Sequence, residues 1–173
     1  LRLRSDVPVA FCLSGGIDSS SLVSIATKKF NQKVKCFSII DEDIKYNEEQ
    51  NINLIQKDTK CEVEKIYLSK KKNFFGRLEK LISGHDSPIS TLAYYVHSFI
   101  SESASKQNFK VILSGTGADE IFTGYYDHFL LHLYETRNSK KYKENLNYWR
   151  KYIKPLVRNP ILRRSDLYFK NKN

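Results

Sequence analysis

The sequence predicts an α/β fold: a parallel sheet with helices packed on both faces. Three observations predict it. Short, continuous apolar runs alternate with segments of helical spacing along the 173 residues. The runs lack the alternation of a half-solvated strand, so they suit strands buried on both sides. The first and fourth runs end in the same residues, Leu13-Ser14-Gly15 and Leu113-Ser114-Gly115, each leading through further glycine into a carboxylate and a helix. Ligands of such sheets bind beyond the carboxyl ends of the strands.

The elements follow in order. Residues 7–13 (VPVAFCL) form the first strand, and the segment from Asp18 to Lys29 is a helix with Leu22, Val23, Ile25 and Ala26 on its apolar side. Lys28 and Lys29 suit its C-terminus. Residues 34–40 are a second strand, 46–60 a helix with early acids and late lysines, and 62–68 a third strand. Residues 73–83 and 91–106 are two helices, the latter amphipathic through Leu92, Tyr95, Val96, Phe99 and Ile100. Residues 110–115 are the fourth strand, and one helix is expected from Asp119 to about Tyr134. The order β-α-β-α-β-α-α-β-α requires crossover connections and hence a parallel sheet.

The net charge of +10 points at first to nucleic acid. Its distribution says otherwise. Residues 1–136 hold 17 basic and 17 acidic residues, whereas 137–173 hold 12 and 2. We therefore expect a neutral domain over 1–136 and a basic, helical, truncated extension over 137–173, most simply a solvated face or domain contact. The lack of a starting Met and the abrupt end suggest a piece of a longer protein. No apolar run has the length of a membrane span, and neither a membrane nor nucleic acid is an expected partner. Cys12, Cys36 and Cys61 show no metal spacing and no even count, which fits buried thiols in a reducing cytoplasm.

The stretch LSGGIDSSS, residues 13–21, carries the chemistry. Gly15 and Gly16 let the backbone approach a ligand, and the following helix offers free N–H groups and a positive dipole end. Ser14, Ser19 and Ser20 add hydroxyls. A polyphosphate fits there without the lysine of G-x-x-x-x-G-K-[ST], which is absent. Asp18 beside phosphates calls for a cation between them, and Mg²⁺ answers that need; the simpler alternative is that Asp18 caps the helix. In the second loop, SGTGADE, Asp119 and Glu120 could hold metal, orient an acceptor or cap a helix. If the first and fourth strands are neighbours, both loops face one pocket.

Together, SDVPVAFCLSGGIDSSSLVSIA and VILSGTGADEIFTGYYDH resemble the synthetase domain of glutamine-hydrolysing asparagine synthetases, over roughly residues 2–130. The first loop alone marks the wider ATP-pyrophosphatase (PP-loop) group, and the second narrows it. The resemblance implies a Rossmann-like fold of the adenine nucleotide alpha hydrolase type. It implies cleavage of ATP between its α- and β-phosphates, formation of an acyl-adenylate on a small carboxylate such as aspartate, and displacement of AMP by ammonia from an N-terminal glutaminase domain. By motif, Ser14, Gly15, Gly16, Asp18, Ser19 and Ser20 would hold pyrophosphate and Mg²⁺, with Asp18 the metal ligand. Cys12 would line the nucleotide site, the main chain of Ile39 would meet adenine, and Ser114 and Gly115 would contact the adenosine side. Asp119 and Glu120 match the family's acidic pair, and residues 85–88 (HDSP) its acidic-Pro segment beside the acceptor. A homodimer is left open.

The sequence departs from the pattern at Thr116, where the family often carries the Glu tied to adenylate formation. The glutaminase domain and a later segment with a catalytic basic residue are also missing. Two rival readings are a PP-loop tRNA-modifying enzyme that adenylates a base, and a non-catalytic nucleotide-binding scaffold. His128 and His132, four apart, lack a third metal ligand, His85 and His97 have no partner in sequence, and Tyr125 and Tyr126 read as packing residues.

Overall fold

The computed structural model describes residues 3–68 and 73–169; the last four residues of the basic extension lie outside them. Two compact units divide the chain, Leu1–Gly115 and Thr116–Asn173. The boundary expected after residue 136 falls inside the second unit.

The first unit holds β1 (Val9–Cys12), α1 (Ile17–Ser24), β2 (Lys35–Ile40), α2 (Glu49–Thr59), β3 (Glu62–Tyr67), α3 (Phe74–His85), α4 (Leu92–Lys106) and β4 (Val111–Leu113). The element order expected from the apolar runs holds up to β4. All four strands are parallel, in the order β3-β2-β1-β4. The chain thus winds outward from β1 to β3, then crosses back to place β4 on the other side of β1. Such a reversal opens a crevice at the carboxyl ends of β1 and β4, the two strands that flank it.

Strand alternation divides the apolar runs between two cores. Phe11, Leu13, Cys36 and Ile40 pack on one face with Val23 and Ala26 of the first helical segment and Ile52 of α2. Ala10, Phe37 and Ile66 pack on the other face with Phe99, Ile100 and Ala104 of α4. Neighbouring residues of one run thus serve opposite faces, which is why the runs are continuously apolar. Each large side chain so buried contributes roughly 1.5–3 kcal/mol. The helix begun by α1 continues through a wider, π-helical turn over Ile25–Lys29, ending at the two lysines expected there.

A polar cluster ties α3 to α4. Arg77 pairs with Glu102, donates to Ser98 Oγ at 3.0 Å and lies 3.9 Å from the centre of the Phe99 ring. Lys106 Nζ donates to Glu102 Oε1 at 2.7 Å. Lys106 and then Arg77 pull the Glu102 carboxyl down to about 2 from its usual 4.5. Because the folded value is depressed, this stabilisation is present above 4.5 and is lost as the pH falls towards 2. Glu102→Gln should therefore lower the urea midpoint at neutral pH, and the gap to the parent should close with acidification. A gap independent of pH would contradict this.

The second unit holds α5 (Ala118–Phe122), α6 (Tyr126–Glu135) and α7 (Tyr142–Tyr148), the last running on into a π-helical turn over Trp149–Ile153. The single helix expected from Asp119 to Tyr134 is a correction: it breaks into α5 and α6. Thr123 adopts a left-handed φ of 58°, and Gly124 N donates to Asp119 O at 2.9 Å, closing α5 after five residues. Leu130, Leu133 and Trp149 form a small core of their own. The basic extension therefore contributes its tryptophan to packing, while Tyr148 and Tyr152 are exposed with ring centres 4.8 Å apart. Among the described residues no helix is long and apolar enough to cross a membrane.

Candidate functional site

The first loop is shaped by where β1 and α2 leave room. Leu13 N donates to Phe37 O at 3.1 Å, extending the pairing of β1 one residue past its end. The chain then turns at Gly15, whose φ of +88° lies in the left-handed region. A Cβ there would stand 3.0 Å from Asn51 Cβ and 3.1 Å from Glu48 O. Conformation and space both demand glycine, because the start of α2 backs the loop.

The serines divide their work. Ser19 is buried and braces the loop: its Oγ accepts from Ser14 N at 3.1 Å, meets Ser14 Oγ at 2.9 Å and donates to Gly16 O at 3.3 Å. Ser14 Oγ also accepts from Gly16 N at 3.3 Å. Ser20 Oγ, by contrast, is buried with no hydrogen-bond partner among the described residues. Helical bonding in α1 begins with Ser20 N to Gly16 O at 3.1 Å. The amides of Ile17, Asp18 and Ser19 therefore have no helical acceptor, and no side chain caps the helix at Gly16. Asp18 lies in that first turn without acting as its cap.

The second loop arrives where the condition on strand order required. β4 pairs with β1 in parallel, with Phe11 opposite Leu113. Gly115 then sits directly on the start of α1: a Cβ on it would meet Asp18 Cβ at 2.9 Å and Ser19 N at 3.0 Å. The structure thus brings Ser14, Gly15, Gly16, Asp18, Ser19, Ser20, Ser114 and Gly115 to one edge of the sheet.

Beside them lies a cavity of about 330 Å³ that takes in Cys12, Ser14 and Ile39 together with Asp41, Tyr46 and His97. Cys12 is the last residue of β1, and burial pushes its thiol above the usual range, so it lines the cavity as a neutral group. Asp41 was not singled out from sequence, although its place just past β2 was a usable signal. His97 carried no such signal, because it lies within α4 and not at a strand end.

Thr116, Asp119 and Glu120 belong to the second unit. Gly117, with φ +94°, opens α5 without a side-chain cap, and both acids occupy the first turn. Tyr125 hydroxyl donates to Glu120 Oε1 at 2.6 Å. This bond holds the Glu120 carboxyl below the usual carboxylate range and pushes the Tyr125 phenol up to about 12. Tyr125, read from sequence as a packing residue, is 43 % exposed. His132 Nε2 stands 3.2 Å from Asn145 Nδ2, and the His128 ring packs on Tyr125. Among the described residues no group of three or more His, Cys, Asp or Glu side chains could hold a metal ion.

Comparisons with known proteins identify the family. The family model described as asparagine synthase matches residues 1–172. Asparagine synthetase [glutamine-hydrolyzing] 1 of Bacillus subtilis is 37 % identical over 128 residues, covering 72 % of this chain and 19 % of that protein. Putative asparagine synthetase [glutamine-hydrolyzing] 2 of Methanocaldococcus jannaschii is 36 % identical over 130 residues, covering 74 % and 24 %. Amidase chyE of Penicillium rubens is 30 % identical over 139 residues, covering 72 % and 20 %. The chain spans between about a fifth and a quarter of the length of these curated relatives. Matched over nearly its whole length, the chain belongs to the asparagine synthase family.

Proposed function

We propose that the protein carrying this chain uses ATP to activate a carboxylate for amide formation, with aspartate as the first acceptor to test. A carboxylate oxygen attacks the α-phosphorus of ATP. The bond between the α-phosphorus and the bridging oxygen breaks, and pyrophosphate leaves, giving an acyl-adenylate. Ammonia then attacks the acyl carbon; the C–O bond breaks, AMP leaves with its electron pair, and the nitrogen loses a proton to give the amide.

The observation that carries this reading is the seating of Gly115 against Asp18 and Ser19. It sets two glycine loops over one set of unpaired amides. Preorganised N–H donors of this kind stabilise charge that develops on a departing pyrophosphate. Ser20, with its buried and unpartnered hydroxyl, supplies a further donor. The adenosine side is assigned to the cavity lined by Cys12 and Ile39, and the roles of the Ile39 main chain, Ser114 and Gly115 are carried over by motif.

The donor set fits Mg²⁺, which takes one or two carboxylates and completes its shell with phosphate oxygens and water. Asp18 would hold it. When bound, the ion supplies the positive charge that lets a carboxylate stand beside phosphates. Asp119 and Glu120 match the family's acidic pair, and of the roles open to them the proposal takes the orienting of the acceptor carboxylate. Thr116 brings no charge to that side, which makes the acceptor a matter for measurement. A glutaminase domain as the ammonia source and a cytoplasmic setting belong to the same reading; Cys12, Cys36 and Cys61 are all free thiols.

Calorimetric titration of Mg-ATP tests the proposal. Binding should be displaced by pyrophosphate, because both ligands occupy the Ser14–Ser20 loop. ATP binding that survives saturating pyrophosphate would place the nucleotide elsewhere and end the proposal.

A further inference from the structure

We propose that Tyr125 is a positioning residue for Glu120, fixing one carboxylate oxygen so that the other is presented in a single orientation. The inference rests on the reading of Glu120 as part of the carboxylate-activation site. Its basis is the break between α5 and α6. Thr123 and Gly124 reverse the chain, so that Tyr125 returns beside the helix that carries Glu120 and bonds it at 2.6 Å. A continuous helix would have carried Tyr125 onward in the helical spiral, with its hydroxyl committed to no such closure.

The turn leaves little freedom. A Cβ on Gly124 would fall 1.9 Å from Asp119 Oδ1 and 3.2 Å from Asp119 Cα, so a side chain there would push the Asp119 carboxylate out of its present place beside Glu120. The Tyr125 ring is braced edge-on by His128, with centres 5.3 Å apart and planes at 63°. An exposed glutamate alone samples several rotamers in water. A braced phenol that donates to it removes part of that freedom before any ligand arrives, and pre-orienting a group lowers the barrier of the step that uses it.

Pyrophosphate exchange into ATP, measured on the full-length protein with a panel of small carboxylates beginning with aspartate, tests this. The variants are Glu120→Gln, Tyr125→Phe and the double. The expected result for Tyr125→Phe is a fall in kcat of about tenfold, the loss of one charge-assisted hydrogen bond. KM for ATP and the melting temperature should stay at parental values, a split that a merely structural role would not produce. The double variant should be little worse than Glu120→Gln alone, because residues acting as a unit do not add. Parental kcat in Tyr125→Phe, alongside an impaired Glu120→Gln, overturns the positioning role and leaves the site reading standing. Full additivity in the double does the same. Parental exchange by Glu120→Gln, or no exchange by the parent with any carboxylate, overturns the reading of the site and this inference with it.

Discussion

Gly15→Ala is expected to lower stability by about 2–5 kcal/mol and to abolish nucleotide binding. Two costs combine. The φ of +88° is open to glycine and strained for alanine, at roughly 1–2 kcal/mol. The added methyl would also crowd Asn51 Cβ and Glu48 O, a backbone atom that cannot rotate away. Overpacking of that kind costs typically about 1–3 kcal/mol. Relief requires α2 to withdraw or the loop to flip, and either moves the amides from the sheet edge. Thermal melting should fall by several degrees, and Mg-ATP titration should show no saturable binding. A variant that melts with the parent and binds ATP normally would refute the account of the loop.

Asp18→Ala is expected to act in the opposite way, on function and not on folding. Asp18 does not cap its helix, and among the described residues its side chain makes no hydrogen bond or ion pair, so melting should change little. Its charge opposes phosphate unless a cation intervenes. With magnesium present, ATP affinity should drop about 10–100-fold, the scale of a lost charge-assisted contact. With magnesium chelated, the variant should bind ATP as well as the parent or better, because a repulsive charge has gone. Calorimetry in the two buffers separates the effects. Equal magnesium stimulation in parent and variant would remove Asp18 from any metal role.

The sheet and both loops were legible because each apolar run serves two cores at once. Phe11 and Phe37 face opposite sides, so no polar residue interrupts either run. The glycine at position 15 was legible for a similar reason, since strand, turn and helix leave no other conformation. The order of strands was not legible, because periodicity carries no information on which neighbour a strand takes. The break after Phe122 also escaped, since a threonine does not advertise a left-handed φ. Ser19 reads as a ligand donor, and its bonds to Ser14 and Gly16, which brace the loop, are not visible in spacing. Tyr125 reads as packing because its partner, Glu120, is reached only through a turn that spacing does not reveal.

The pairing of β1 with β4 has a consequence for how the molecule becomes competent. Phe11 and Leu113 are joined by a chain on the order of a hundred residues, so bringing them together carries a large entropic cost of closure. Everything in the first unit between them can pair or pack before that closure occurs. The proposed anion cradle at α1 is made locally, from residues within a few positions of one another, while its partner loop arrives only with the last strand. A ligand held by both loops therefore spans the most distant join in the unit. It would act as a clasp on the whole sheet, and nucleotide would be retained by the completed fold and by no earlier one.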